Sequence, residues 1–174
     1  MQEYDGKLGI YSKTSVLTQK LESKFKDKYL DVIVFDDIEN VDLSKLSYLI
    51  INLIDNKNPI EKIKSIITGL ECKILVLSSL FVKTEEKYIL DTHIKDLLEI
   101  NNNLGVILVP EMLGSDVKYI PEHISHDLIM QSLLSERVKI KDTEFLINIV
   151  SLNKLIEVIV RETFSFGVSG QTSV

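Results

Sequence analysis

The chain has one cysteine, Cys72, so it can form no internal disulfide. That fits a reducing compartment. It contains no run near the roughly 18 to 20 apolar residues of a membrane-spanning helix. It has no surplus of basic residues either. The net charge is -6, whereas a nucleic-acid surface needs a basic stripe. The densest basic stretch, Lys24-Phe25-Lys26-Asp27-Lys28, is diluted by acid and reads as a solvated helix face. Met1-Gln2-Glu3-Tyr4-Asp5 has none of the marks of a signal peptide, so the cytoplasm is the expected location. There is no internal repeat, P-loop, nucleophile elbow or paired-cysteine motif. His123-x-x-His126, with Glu122 and Asp127 nearby, has metal-binding composition but no ordinary metal spacing, and no metal is expected.

What is present is an ordinary globular composition, 45% apolar and 26% charged over 174 residues. That length suffices for one hydrophobic core. Lys7 to Tyr11 reads as a strand, and Leu17, Leu21 and Phe25 then mark the apolar face of a helix. Leu30 to Phe35 is a second strand, ending at Asp36-Asp37. Leu46 to Ile54 is apolar except for Ser47 and Asn52, as suits a parallel strand buried on both faces. Ile60, Ile63, Ile66 and Ile67 give the next helix its stripe, and Gly69 stops it. Lys73 to Leu77 is a fourth strand ending at Ser78-Ser79; Glu85 to Ile100 is a helix; Gly105 to Val109 is a fifth strand, stopped by Pro110. Strand and helix alternate with short links, which predicts a doubly wound parallel α/β sheet with helices on both faces.

Past Gly114 the rhythm changes. Ser115 to His123 reads as loop and Asp127 to Ser135 as helix. Val138 to Ile140 and Phe145 to Val150 are strand candidates, Leu152 to Val160 is helical, and Phe164 to Val168 is a last strand. The expected division is a nucleotide-binding-type core over residues 1–114 and a reduced C-terminal part over residues 115–174, packed on the same core.

The most informative absence is local. Ser12-x-x-Ser15-x-x-Thr18 follows the first strand, where a nucleotide-binding α/β unit normally places glycines. Glycine serves there because it lets a pyrophosphate approach the backbone. Serine and threonine side chains fill that space, although their hydroxyls could bind phosphate.

The order of these features resembles the extended short-chain dehydrogenase/reductase family, in particular its nucleotide-sugar epimerases and dehydratases. The glycine-rich turn of that family falls on Ser12, Ser15 and Thr18, and its acidic residue after the second strand on Asp36. Its serine or threonine after the fourth strand falls on Ser78 and Ser79. Its proline-to-glycine loop matches Pro110-Glu111-Met112-Leu113-Gly114. Phe145 to Ser151 looks like the strand before the family's aspartate-bearing helix, with Ser151 or Asn153 near the aspartate position. Phe164 to Val174 looks like the later glycine-containing segment. The resemblance implies a Rossmann-like fold with a reduced C-terminal substrate-side region, in a chain shorter than full-length members.

It also implies a catalytic tyrosine four residues before a lysine on one helix. The lysine lowers the tyrosine pKa, and the phenol exchanges a proton with the substrate. Lys95, with Glu99 after it, is the best match for the lysine, which puts Asp91 at the tyrosine position. Asp91 and Lys95 instead form an opposite-charge pair worth roughly 0.2–0.5 kcal/mol on an exposed helix. Tyr88 lies two turns before Lys95, about 10 Å away along the axis. His93 is a further acid or base candidate on that helix, although a solvated histidine is the plainer reading.

The resemblance therefore gives candidate catalytic positions Ser78, Ser79, Tyr88, Asp91 and Lys95, and candidate cofactor positions Ser12, Ser15, Thr18 and Asp36. The cofactor is NAD or none. The leading expectation is a catalytically degenerate epimerase/dehydratase-like protein acting as a binding or structural module in nucleotide-sugar or surface-polysaccharide metabolism. The alternatives are an active NAD-dependent epimerase, dehydratase or reductase with an atypical acid/base residue, and a non-catalytic nucleotide sensor. The expected partners are a second copy, through the helix at residues 85–100, or another protein, with no nucleic acid and no membrane span.

Overall fold

A computed structural model describes residues 6–12, 15–28, 31–39, 41–54, 60–79, 93–114, 117, 124–134, 148–165 and 171–173. Its main sheet has six strands, all parallel, in the order β2-β1-β3-β4-β5-β8. They are β1 (Lys7–Tyr11), β2 (Asp31–Phe35), β3 (Tyr48–Asn52), β4 (Lys73–Ser79), β5 (Leu104–Val109) and β8 (Gln171–Ser173). Two further strands, β6 (Glu111–Leu113) and β7 (Ile149–Ser151), form a separate parallel pair. The helices are α1 (Val16–Lys26), α2 (Ile60–Ile67), α3 (93–100), α4 (Ile124–Leu133) and α5 (Leu152–Ser165).

Strand alternation divides the apolar residues between two cores. Leu8 and Ile10 of β1, Ile50 of β3 and Leu75 and Leu77 of β4 face α1 and α5, whose Leu17, Leu21, Phe25, Leu155 and Ile159 cover them. Tyr11, Leu49, Ile51, Ile74 and Val76 face the other way. They meet Ile63, Ile66 and Ile67 of α2 and Ile94 and Leu97 of α3. Helices thus cover both faces, and the fold is the Rossmann-like doubly wound sheet that the strand-helix rhythm predicts. Gly69 follows α2 with φ +77, a left-handed conformation that suits glycine at a helix end.

The structure departs from the expected elements in five places, one of them β8 (Gln171–Ser173), which pairs with β5 where no strand is expected. The third strand is shorter than the apolar run, because a 3-10 turn (Leu43–Lys45) precedes it and Leu46 packs as that turn's cap. The segment after Pro110 is strand β6, not only loop. It gains its hydrogen bonds from β7, which is distant in sequence. Helix α4 starts at Ile124, ahead of the expected Asp127. The last helix runs through Phe164 and Ser165, where a strand is expected. Thr163 Oγ1 donates to Ile159 O at 2.8 Å, and the Phe164 ring sits edge-on to Phe25 at 5.8 Å and Tyr48 at 5.5 Å. Aromatic burial across the layer outweighs the local β propensity of Phe164. The strand candidates at 138–140 and 145–147 and the helix segment at 85–92 lie outside the described residues.

Candidate functional site at the strand carboxyl ends

In open α/β sheets ligands bind beyond the strand carboxyl ends, where the strand order reverses. Here β1 lies between β2 and β3, so the reversal falls between β1 and β3, at Ser12 and Asn52. This is the end of the sheet to which the candidate cofactor residues Ser12, Ser15, Thr18 and Asp36 belong.

Three of those four come together. Ser12 Oγ lies 2.8 Å from Thr18 Oγ1, and Ser15 Oγ lies 3.1 Å from the same atom. Asn52 Nδ2 donates to Ser12 Oγ at 3.2 Å, and Asn52 Oδ1 accepts from Ile54 N at 3.0 Å. Ser12, Thr18 and Asn52 are 2%, 1% and 0% exposed. A buried polar group without a partner would cost about 1–3 kcal/mol, and here the side chains satisfy one another. Ser15 has a second task. Its backbone is extended and its hydroxyl accepts from Thr18 N at 3.2 Å, which makes it the N-cap of α1. Ser12 N donates to Phe35 O at 2.9 Å, tying the turn to the end of β2. Asp36, the next residue along, is exposed.

Asn52 is absent from the candidate list drawn from the sequence. Its signal is visible there, as the polar interruption near the end of the third apolar run. A polar residue two strands into a parallel sheet needs a bonded role, and Ser12 supplies the partner from 40 residues away.

The candidate catalytic positions are more scattered. Ser78 and Ser79 end β4, but adjacent strand residues point to opposite faces. Ser78, in step with Ile74 and Val76, is buried on the α2/α3 side; Ser79, in step with Leu75 and Leu77, is half-buried on the α1/α5 side. The two hydroxyls therefore do not act together on one group. Lys95 is exposed on α3; it follows Ile94 directly and points away from the face on which Ile94 and Leu97 are buried. Tyr88 and Asp91 lie outside the described residues. His93 is half-buried at the start of the described part of α3.

Beyond β5, Glu111 is fully buried, and its backbone N donates to Asn148 O at 3.2 Å. His126 of α4 donates from Nε2 to Met112 O at 3.0 Å, fixing α4 against β6. An apolar hollow of about 150 Å³ lies beside it, between Leu113, Val117 and Met130. Among the described residues no group of three histidine, cysteine or carboxylate side chains could hold a metal ion. His123 lies outside them. Among the described residues, too, no helix is long and apolar enough to cross a membrane. A larger hollow, about 440 Å³, opens at the opposite end of the sheet, between Leu43, Leu70 and Cys72. Burial raises the Cys72 thiol above its ordinary range, which leaves it a poor nucleophile.

No family model matches the sequence, and no curated protein matches it. Solved structures do match the fold. The capsular polysaccharide assembling protein CapF from Staphylococcus aureus superposes with a TM-score of 0.64 at 13% identity, over 97% of this chain and 52% of that one. A structure of CapF with the inhibitor 3-isopropenyl-tropolone gives 0.59 at 14% identity, over 97% and 50% of the two chains. The UDP-N-acetylglucosamine 4-epimerase from Bacillus cereus gives 0.63 at 10% identity, over 98% and 78%. At such identities the likeness is one of fold. The chain spans about half the length of the CapF chains that it matches.

Proposed function

We propose that this protein is a catalytically degenerate relative of the NAD-dependent nucleotide-sugar epimerases and dehydratases, and that it works as a binding or structural module. The observation that carries this reading is the Ser12–Thr18–Asn52 cluster, whose hydroxyls are bonded to one another and buried where a phosphate would meet the backbone. These residues do not fit a dinucleotide. A glycine turn leaves room for a pyrophosphate, whereas this turn carries side chains, and Ser12 Oγ and Thr18 Oγ1 bond each other at 2.8 Å instead of being left free for a phosphate. We derive no hydride-transfer step for this chain.

In this reading residues 1–114 are the nucleotide-binding-type core and residues 115–174 a reduced part packed on it. Ser78, Ser79, Tyr88, Asp91 and Lys95 are remnants of a proton-transfer site. By the spacing from Lys95, Asp91 takes the sequence position at which the family has its tyrosine. The setting we propose is nucleotide-sugar or surface-polysaccharide metabolism, by analogy with the CapF and epimerase structures. The partner is another protein or a second copy docking through residues 85–100. Among the described residues of that segment, Ile94 and Leu97 are committed to the core and Ile100 is exposed.

Thermal unfolding against ligand tests the reading, because a ligand that binds only the folded state raises the midpoint by mass action. NAD and its phosphorylated form at millimolar concentration leave the midpoint unchanged. A dinucleotide-dependent rise accompanied by hydride transfer to or from a nucleotide sugar would overturn the proposal. A rise without turnover would replace it with the nucleotide-sensor reading.

A further inference from the structure

The main sheet ends on one side at β2, which among the described residues pairs only with β1. The other margin, β8, pairs over three residues; β2 pairs over all five of its own. An edge strand carries a row of unpaired backbone groups, and proteins usually blunt it with charge, proline or a bulge. The centre of β2 has none of these. It reads Val32-Ile33-Val34, all half-buried. In a parallel ladder the peptide groups of alternate residues point to opposite sides. Phe35 O accepts from Ser12 N, so Phe35, Ile33 and Asp31 face β1, and Val32 and Val34 present their N–H and C=O groups outward.

The acidic side chains lie at the two ends, most of them past the second. Asp31 is exposed at the start of β2, where Lys7 pairs with it at 3.3 Å. Asp36, Asp37 and Glu39 are exposed just past the other end. We infer that the open edge of β2 is a strand-docking site for an extended segment of another polypeptide, with an apolar centre and basic flanks. The backbone of Val32 and Val34 would supply the hydrogen bonds, as in β-augmentation, and the carboxylates at the ends would select the flanks. The same charges argue against a second copy as the occupant. Two β2 edges paired parallel would set Asp36 and Asp37 of each beside their own counterparts, and an antiparallel pairing would bring them against Asp31 of the other, which Lys7 only partly offsets at its exposed position. Like charges placed opposite each other destabilise a strand pair. The inference does not depend on whether the nucleotide position is occupied.

The test uses the whole chain and two synthetic peptides. Each has an alternating valine–threonine centre of five residues; one is flanked by lysine pairs, the other by glutamate pairs. By calorimetry at low salt the lysine peptide binds about tenfold or more tightly than the glutamate peptide. It slows amide exchange at Val32 and Val34. Val34→Pro removes an outward N–H, a place where an edge strand tolerates proline, and it abolishes binding. Should that variant fail to fold, Asp36→Lys with Asp37→Lys reverses the order of the two peptides. Equal binding of both peptides, binding of neither, protection mapped elsewhere, or dimerisation of the chain through β2 would each overturn the inference.

Discussion

Two buried asparagines stand at opposite ends of the sheet. Asn101, at the end of α3, donates from Nδ2 to Ile67 O at 3.0 Å and to Leu70 O at 2.9 Å, and its Oδ1 accepts from Asn103 N at 2.8 Å. It closes the carbonyl end of α2 and stitches two helices together, an ordinary structural task. Asn52 also uses both ends of its amide, one to Ser12 Oγ and one from Ile54 N. The difference is where it does so. Asn101 sits at the amino ends of β4 and β5, where this kind of sheet carries no ligand; Asn52 sits at the strand-order reversal, where it commonly does. The polar groups at the reversal are thus spent as at a helix seam, on neighbouring protein atoms.

Removing the two amides in turn tests whether both are structural. Asn52→Ala leaves buried Ser12 Oγ and half-buried Ile54 N each without that partner, and a cost of about 2–4 kcal/mol follows from the lost bonds plus the cavity. Asn101→Ala falls in the same range, since it strips partners from two helix-end carbonyls. Urea unfolding measures both. A cost for Asn52→Ala below about 0.5 kcal/mol, the range of surface substitutions, would mean that the reversal cluster is not a structural plug.

Two buried threonines sharpen it further. Thr18 Oγ1 joins Ser12 and Ser15, while Thr163 Oγ1 only back-bonds the carbonyl four residues earlier in its own helix. Thr18→Val therefore costs about 1–2 kcal/mol, because it takes a partner from buried Ser12. Thr163→Val stays within about 0.5 kcal/mol, because helix back-bonding by threonine adds little. Double-mutant cycles add a second reading. Thr18→Val and Asn52→Ala share Ser12, and their coupling is about 0.5–3 kcal/mol, whereas Thr18→Val and Asn101→Ala add. Additivity in both cycles would dissolve the cluster into separate contacts.

The sequence makes much of the frame legible, because periodicity is local. Leu17, Leu21 and Phe25 announce α1, and all three are buried. Asp36 does follow β2, and Gly69 does end α2. What escaped depends on partners far along the chain. Nothing near Glu111 predicts that β6 will pair with Ile149 to Ser151, and nothing near Phe164 predicts the rings of Phe25 and Tyr48 that draw it into a helix. The candidate site was legible by half. Ser12, Ser15 and Thr18 are recognisable by spacing; the Ser15–Thr18 bonds follow from N-cap geometry, whereas Ser12, at the end of β1, meets Thr18 only in the fold. Asn52 is visible only as an anomaly in an apolar run. The opposed directions of Ser78 and Ser79 follow from strand alternation, once the fourth strand is extended to include both.

The smallest expected effect separates the two ends of the sheet by charge. The α2/α3 seam that Asn101 closes also carries an ion pair, Lys64 Nζ to Asp96 Oδ2 at 2.8 Å. The bond from Lys64 holds the Asp96 carboxyl below its ordinary 3.8, and the bond to Asp96 holds the Lys64 ammonium above its ordinary 10.5. A carboxyl lowered by folding adds stability that is whole above 3.8 and is lost as pH falls through the lower folded value. An ammonium raised by folding adds stability that is whole below 10.5 and is lost as pH rises through the higher folded value. Asp96→Asn therefore lowers the unfolding midpoint between those limits, and the gap to wild type narrows below pH 3.8. On the alkaline side Glu61, 3.6 Å from Lys64, retains part of the effect in the variant. The Ser12, Thr18 and Asn52 side chains carry no ionisable group, so the cost of Asn52→Ala stays level where that of Asp96→Asn changes. Midpoints measured across the acid range decide it: a gap for Asp96→Asn that stays constant below 3.8 would mean the pair contributes nothing to the seam.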